Sequence, residues 1–223
     1  MPCFYCVFEF LIITRKGYNV GIDIGSTASK TVVTGDKEMK FVLPTGWSSK
    51  EGRRALKDFY ELMKLDPAPM KGENLYNVLY GTTFKFDRSK VSAEIDALTA
   101  KMKEEYAAGK NEGRKHRILI TGCPMGGATM KVVKAIEENG GVVVAFENCS
   151  GAKSVDRLID EYQVEAVVEM TLQACHTHNV EAGKVGRFVR EEKHIPYLHV
   201  ETDYSQSDVG QLNTRIAVLI EML

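Results

Sequence analysis

The 223-residue chain is 44% hydrophobic and 26% charged, ordinary usage for one well-buried domain with attachments, which excludes a disordered tail. Its formal net charge of −1 leaves no basic stripe, so nucleic acid is not an expected partner. Five cysteines, an odd number in a chain of this size, argue against a disulfide framework and point to reduced thiols or metal ligands.

The first apolar run, CFYCVFEFLII (Cys3–Ile13), contains Glu9 and is far shorter than the roughly 20 residues of a membrane span. Arg15 and Lys16 follow it rather than precede it, against the polarity of a secretory signal. Residues 1–17 therefore read as an apolar leader on a cytoplasmic protein without a membrane partner. Cys3 and Cys6 have thioredoxin-like spacing, but no βαβ pattern follows, so no redox role is expected of them.

Residues 18–50 read as a β-hairpin. NVGIDIG alternates apolar residues, and KTVVTGDKEMKFVL continues with β-branched residues around a Gly-Asp turn. Within it, GIDIGSTASK spells a strand ending near Asp23 and a turn that Gly25 allows to be tight. The backbone amides there, with Ser26 and Thr27, can bond phosphate oxygens.

Residues 51–113 read as helical. RRALKDFYELM places Ala55, Leu56, Phe59, Tyr60 and Met63 on one face, and Asp66-Pro67 with Pro69 ends it. A second helix, from Asp87 to about Ala108, carries Val91, Ile95, Leu98, Met102 and Tyr106 on one stripe, with Gly109 as its stop.

Residues 114–223 are the most legible. Four apolar strands appear in turn, RILITG, GVVVAFE, VEAVVEM and IPYLHVE, each followed by a helical pattern. Strand and helix alternating in this way predict a parallel sheet with right-handed crossovers. The expected fold is α/β: a four-stranded parallel flavodoxin-like, doubly wound sheet, preceded by a helical segment and an N-terminal β-hairpin. In the last helix Asp208 is expected to cap, Gln211 takes the capping-box position, and Val209, Leu212, Ile216, Leu219 and Leu223 form the buried stripe.

Ligands of an open parallel sheet bind at the carboxyl ends of its strands. Cys123, Cys149 and Cys175 each fall just past a strand, 26 residues apart. Gathered thiolates suit an iron–sulfur cluster or zinc, although this spacing matches no zinc signature. A thiol nucleophile beside His176 is the other functional reading. His176 and His178 taken singly read as a polar loop. Glu147, Glu201 and Asp203 are acid–base candidates or solvated strand ends, with Asp203 placed to cap a turn.

The segments GRRALKDFYELMKLDPAPMKGENLYNVLYG, RILITGCPMGGATMKVVKAIEENGGVVVAFENCSGAK and LQACHTHNVEAGKVGRFVREEKHIPYLHVETDYSQSDVG resemble the carboxyl-terminal half of 2-hydroxyacyl-CoA dehydratase subunits. This family is also called the 2-hydroxyglutaryl-CoA dehydratase D-component family. The resemblance covers about Gly52–Leu223. It implies a lyase of anaerobic metabolism in which a [4Fe-4S] cluster, held by three cysteines between flavodoxin-like domains, drives radical loss of water from a 2-hydroxyacyl-CoA. It implies a second dehydratase subunit and an ATP-dependent activator as partners. Cys175, in the QACHT block, corresponds to an iron ligand. Cys123 and Cys149 are further metal candidates with no clear counterpart, and no catalytic residue is assigned.

The hairpin resembles something different, the activator of that dehydratase, an ATP-hydrolysing iron–sulfur protein of the actin and sugar-kinase superfamily. Asp23, Gly25, Ser26, Thr27 and Lys30 match its first phosphate-binding motif. No second Asp-Gly-Gly loop, adenosine-binding segment or activator cluster cysteines accompany it, so the motif is expected to be vestigial and ATP is not an expected cofactor. Together the two resemblances imply a fused or truncated gene product joined near Lys50–Gly52, without the dehydratase domain that completes the cluster. The leading expectation is a subunit or remnant of the dehydratase. The alternatives are an activator-type ATP-binding protein and a non-catalytic docking module.

Overall fold

The computed structural model describes residues 11–15, 18–24, 28–34, 39–44, 50–82, 85, 90–122, 126–147 and 152–223, with backbone alone through residue 50 and at residues 152 and 153. Cys3, Cys6, Gly25, Ser26, Thr27, Cys123 and Cys149 lie outside the described residues. The chain divides into two compact units, Met1–Phe59 with Gly81–Ala100, and Tyr60–Tyr80 with Lys101–Leu223.

In the first unit, β1 (Leu11–Arg15), β2 (Tyr18–Ile24), β3 (Ala28–Thr34) and β4 (Met39–Pro44) form an antiparallel sheet in chain order. The strand pair expected over 18–50 is three strands here. Leu11–Arg15, read as the end of a leader, adds a fourth, in keeping with the β preference of Ile12, Ile13 and Thr14. Asp23 pairs with Lys30 across β2 and β3. Helix α1 (Lys50–Tyr60) buries Ala55, Leu56 and Phe59. Its Arg54 bonds Asp58 at 2.9 Å and Asp96 at 2.5 Å. Asp96 belongs to α3 (Val91–Ala107), which buries Val91, Ile95 and Thr99. Gly109, at φ +84°, stands just past its end, as the sequence suggests.

The second unit begins with a short 3-10 turn, Glu61–Lys64, closed by an extended Leu65. Here α2 (Gly72–Gly81) is a helix in ENLYNVLYG, a stretch that periodicity alone does not assign. Next come β5 (His116–Gly122), α4 (Gly127–Glu138), β6 (Gly141–Phe146) and α5 (Ala152–Glu161). They are followed by β7 (Ala166–Leu172), α6 (His176–Glu191), β8 (Tyr197–Thr202) and α7 (Val209–Glu221). All strand pairs are parallel, in the order β6-β5-β7-β8, which is the expected doubly wound arrangement.

Side-chain alternation gives the sheet two unlike faces. Ile118, Ile120, Val168, Met170 and Val200 pack with Val132, Ile136, Leu212, Ile216 and Leu219 of α4 and α7 into the main core. The opposite face carries Arg117, Thr121, Glu169 and Thr171 among its buried residues. Arg117 is spent on structure: its guanidinium donates to the carbonyls of Tyr162 at 2.8 Å, Leu65 at 2.9 Å and Met63 at 2.5 Å.

The α7 terminus departs from expectation. Asp208 is the N-cap residue but makes no side-chain cap bond. Its carboxylate instead accepts from Lys131 Nζ at 2.6 Å and Thr202 Oγ1 at 2.5 Å, since a buried ammonium competes better for it than a helix amide. Leu212, Ile216 and Leu219 are buried as expected, whereas Val209 is 39% and Leu223 37% exposed.

Candidate functional site

Chain order against strand order places a topological switch point between β5 and β7, and the crevice of a doubly wound sheet lies outside the carboxyl ends there. Gly122 ends β5 at φ +115°, and a Cβ built on it would stand 2.2 Å from the Met170 carbonyl oxygen of β7. Only glycine fits that approach. On the β5 side, the Tyr76 hydroxyl of α2 donates to the Gly126 carbonyl at 3.0 Å, and Tyr76 stacks on Tyr80 at 5.3 Å.

On the β7 side, Gln173 N–H bonds the Thr202 carbonyl of β8 at 2.8 Å. Ala174 takes the left-handed conformation at φ +68°, a costly one for a residue with a Cβ. That bend delivers Cys175 as the N-cap of α6, half-buried and with a free thiol. The amino end of a helix favours negative charge. The structure thus sets Cys175 beside the switch point. His176 and His178 are corrected: they lie in the first turn of α6, not in a polar loop, and His178 is 7% exposed.

Two spaces adjoin this edge. An open cleft of about 380 Å³ is lined by Gln173, Glu201, Thr202, Asp203, Ser207 and Asp208. Asp203 caps a turn, as anticipated, accepting the Ser205 N–H at 2.7 Å, and bonds from Ser205 hold its carboxyl below the usual range. Burial opposes ionisation of Asp208, but bonds from Lys131 and Thr202 outweigh it and hold that carboxyl low as well. Lys131 is engaged by Asp208 at 2.6 Å, by the Ser205 carbonyl at 2.7 Å and by Asp203 at 4.0 Å, so one ammonium meets the carboxylates of Asp203 and Asp208, and with Glu201 the cleft is acidic. That suits an anionic nucleotide poorly.

The second space, about 20 Å³, is enclosed by Thr121, Gly122, Glu147, Val155, Glu169, His178, Glu181 and Val185, room for about one water. Glu147 is 5% exposed and accepts the Thr121 hydroxyl at 2.5 Å, so it is a buried group and not a solvated strand end. Glu169, 1% exposed at the middle of β7, is bonded to the Tyr197 hydroxyl at 2.7 Å. Neither Glu169 nor Tyr197 stands out by its place at a strand end. The signal available is a glutamate inside the apolar run AVVEMTL.

Among the described residues, no three His, Cys, Asp or Glu side chains stand together as a metal site. No helix there is long and apolar enough to cross a membrane.

The chain matches the family described as 2-hydroxyglutaryl-CoA dehydratase, D-component, over residues 48–157 and 152–223. It is 44% identical over 207 residues to an Escherichia coli (strain K12) protein named "Putative dehydratase subunit YjiM". That match covers 77% of this chain and 54% of the relative, so the chain spans about half the length of the curated relative. Among solved structures, that of the methanol:cobalamin methyltransferase complex MtaBC from Methanosarcina barkeri overlaps 80% of this chain and 75% of its own. The TM-score is 0.39 and the identity 16%, too slight a likeness to carry an argument. With most of its length matched, the chain belongs to the 2-hydroxyglutaryl-CoA dehydratase D-component family.

Proposed function

We propose that the chain acts as a subunit of an iron–sulfur 2-hydroxyacyl-CoA dehydratase, with the crevice between β5 and β7 as its working edge. The observation that carries this reading is Cys175, a free thiol at the N-cap of α6 beside the switch point, in a chain of this family. A [4Fe-4S] cluster takes about four ligands, most often thiolates. The described residues offer one cysteine there, so by themselves they do not fit a cluster. Cys175 supplies one thiol, and the others come from Cys123 and Cys149 or from a second subunit. An ATP-dependent activator and an acyl-CoA substrate complete the proposal.

The test is loss of water from 2-hydroxyacyl-CoA thioesters under anaerobic conditions, with the full chain, a second family subunit, the activator and ATP. The proposal requires turnover that is absent without this chain and at least about tenfold lower with Cys175→Ser. Equal turnover with or without the chain contradicts it.

A second reading, an activator-type ATP binder, draws on the Asp23–Lys30 pairing across β2 and β3. It requires ATP binding by the full chain that Asp23→Ala abolishes.

A further inference from the structure

The Tyr197 oxygen lies 2.7 Å from Glu169 Oε2 and 2.9 Å from the Ala182 carbonyl oxygen of α6, yet a phenol has one proton to donate. Were Glu169 a carboxylate, both neighbours would be acceptors competing for that proton. With Glu169 a neutral acid, its O–H donates to Tyr197, Tyr197 donates to Ala182, and every polar atom in the chain of bonds is satisfied.

The surroundings favour the neutral form. The charged groups that act on Glu169 are Glu147, past the end of β6, and Glu181 of α6. No lysine or arginine pairs with it among the described residues. From α6, His178 also lines the small cavity, while β5 and α5 contribute the uncharged Thr121 and Val155. From β8, His199 turns to Thr171 at 2.9 Å instead. Burial first, then Glu147 and Glu181, push the Glu169 carboxyl up to about 7, against the lowering effect of the Tyr197 bond.

We infer that Glu169 is a proton-controlled seat for α6: while it keeps its proton, Tyr197 ties β8 to the Ala182 carbonyl, and when the proton leaves to solvent the phenol turns to the carboxylate and the tie is lost. The ring has little room to retreat, because a Cβ on Gly186 of α6 would stand 2.6 Å from it. Cys175 holds the N-cap position of α6 without a side-chain cap bond, so the seat at Ala182 and that thiol lie on one helix. The inference stands whether or not a cluster is bound there.

Hydrogen exchange of the α6 amides, followed from mildly acidic to mildly alkaline pH on the full chain, tests it with wild type, Glu169→Gln and Tyr197→Phe. A glutamine copies the neutral acid, since its amide donates to Tyr197 and does not titrate. Wild-type protection of α6 should fall roughly tenfold relative to Glu169→Gln as pH passes through neutrality. Tyr197→Phe should be poorly protected throughout. Wild-type protection that stays parallel to that of Glu169→Gln, or full protection in Tyr197→Phe, overturns the inference. Should Glu169→Gln fail to fold, ¹³C titration of the wild-type glutamate carboxyls decides. One carboxyl titrating near neutrality supports the inference, and all titrating in the ordinary range overturns it.

Discussion

Glu169 and Arg117 show how one face of a sheet can hold two buried ionisable groups by opposite means. Arg117 meets three carbonyl oxygens, so its charge is solvated by the backbone even though burial lowers its pKa. Replacing it with methionine strands those carbonyls, and the expected loss is about 3–5 kcal/mol. A urea midpoint within error of wild type would show that water replaces the guanidinium. Among the groups acting on Glu169 none is cationic, and burial pushes its carboxyl up instead. A folded carboxyl at about 7 against an ordinary one near 4.3 corresponds to about 4 kcal/mol. A raised carboxyl contributes its full stability below the unfolded pKa and loses it as pH rises through the folded one. Glu169→Gln should therefore match wild type in acid and exceed it by about that amount above neutrality. None of this is legible in the order of residues: AVVEMTL shows a glutamate among apolar neighbours, but the alternation that buries it belongs to the sheet, and the tyrosine hydrogen-bonded to it comes from β8.

Among the elements, the four parallel strands are readable because each is a short, continuous apolar run bounded by glycine or by polar residues, the mark of a strand covered on both faces. Their carboxyl ends are readable for the same reason, which is why the sequence alone sets Cys175 just past one of them. Termini are less so. DYSQSDVGQ offers a capping box, but Asp208 goes to Lys131 and Thr202, partners set by how α4 and β8 meet. That assignment predicts that Asp208→Ala leaves an ammonium that is 5% exposed with only the longer contact to Asp203 at 4.0 Å. The expected cost is about 2–4 kcal/mol, below the full buried-pair value because Asp208 itself is partly exposed. Its depressed carboxyl adds stability above the unfolded pKa that is lost as pH falls through the folded one. The variant should therefore flatten the acid limb of the stability profile, and an unchanged limb would refute the pairing. At the switch point, Gly122→Ala meets both a left-handed φ and the Met170 carbonyl. A loss of about 2 kcal/mol or more is expected, and a stable variant with wild-type β7 amide protection would show that the two strands can part.

For the whole molecule, the family match begins at residue 48 and takes in residues of both compact units. The phosphate motif Asp23, Gly25, Ser26, Thr27 and Lys30 falls before that point. The sequence offers no second phosphate motif to set beside it, and one such motif alone cannot position a γ-phosphate and a water, so this chain by itself is expected to show no steady ATP turnover. Turnover lost in Asp23→Ala would reverse that reading. The central claim, that this chain lends a thiol to a shared cluster, is tested most directly by anaerobic reconstitution with iron and sulfide. The chain is reconstituted alone and together with a second family subunit, each as wild type and as Cys175→Ser. The account predicts sub-stoichiometric iron in the chain alone, a near-stoichiometric [4Fe-4S] absorbance in the wild-type pair, and loss of most of that absorbance in the Cys175→Ser pair. A full cluster in the chain alone that survives Cys175→Ser would contradict it.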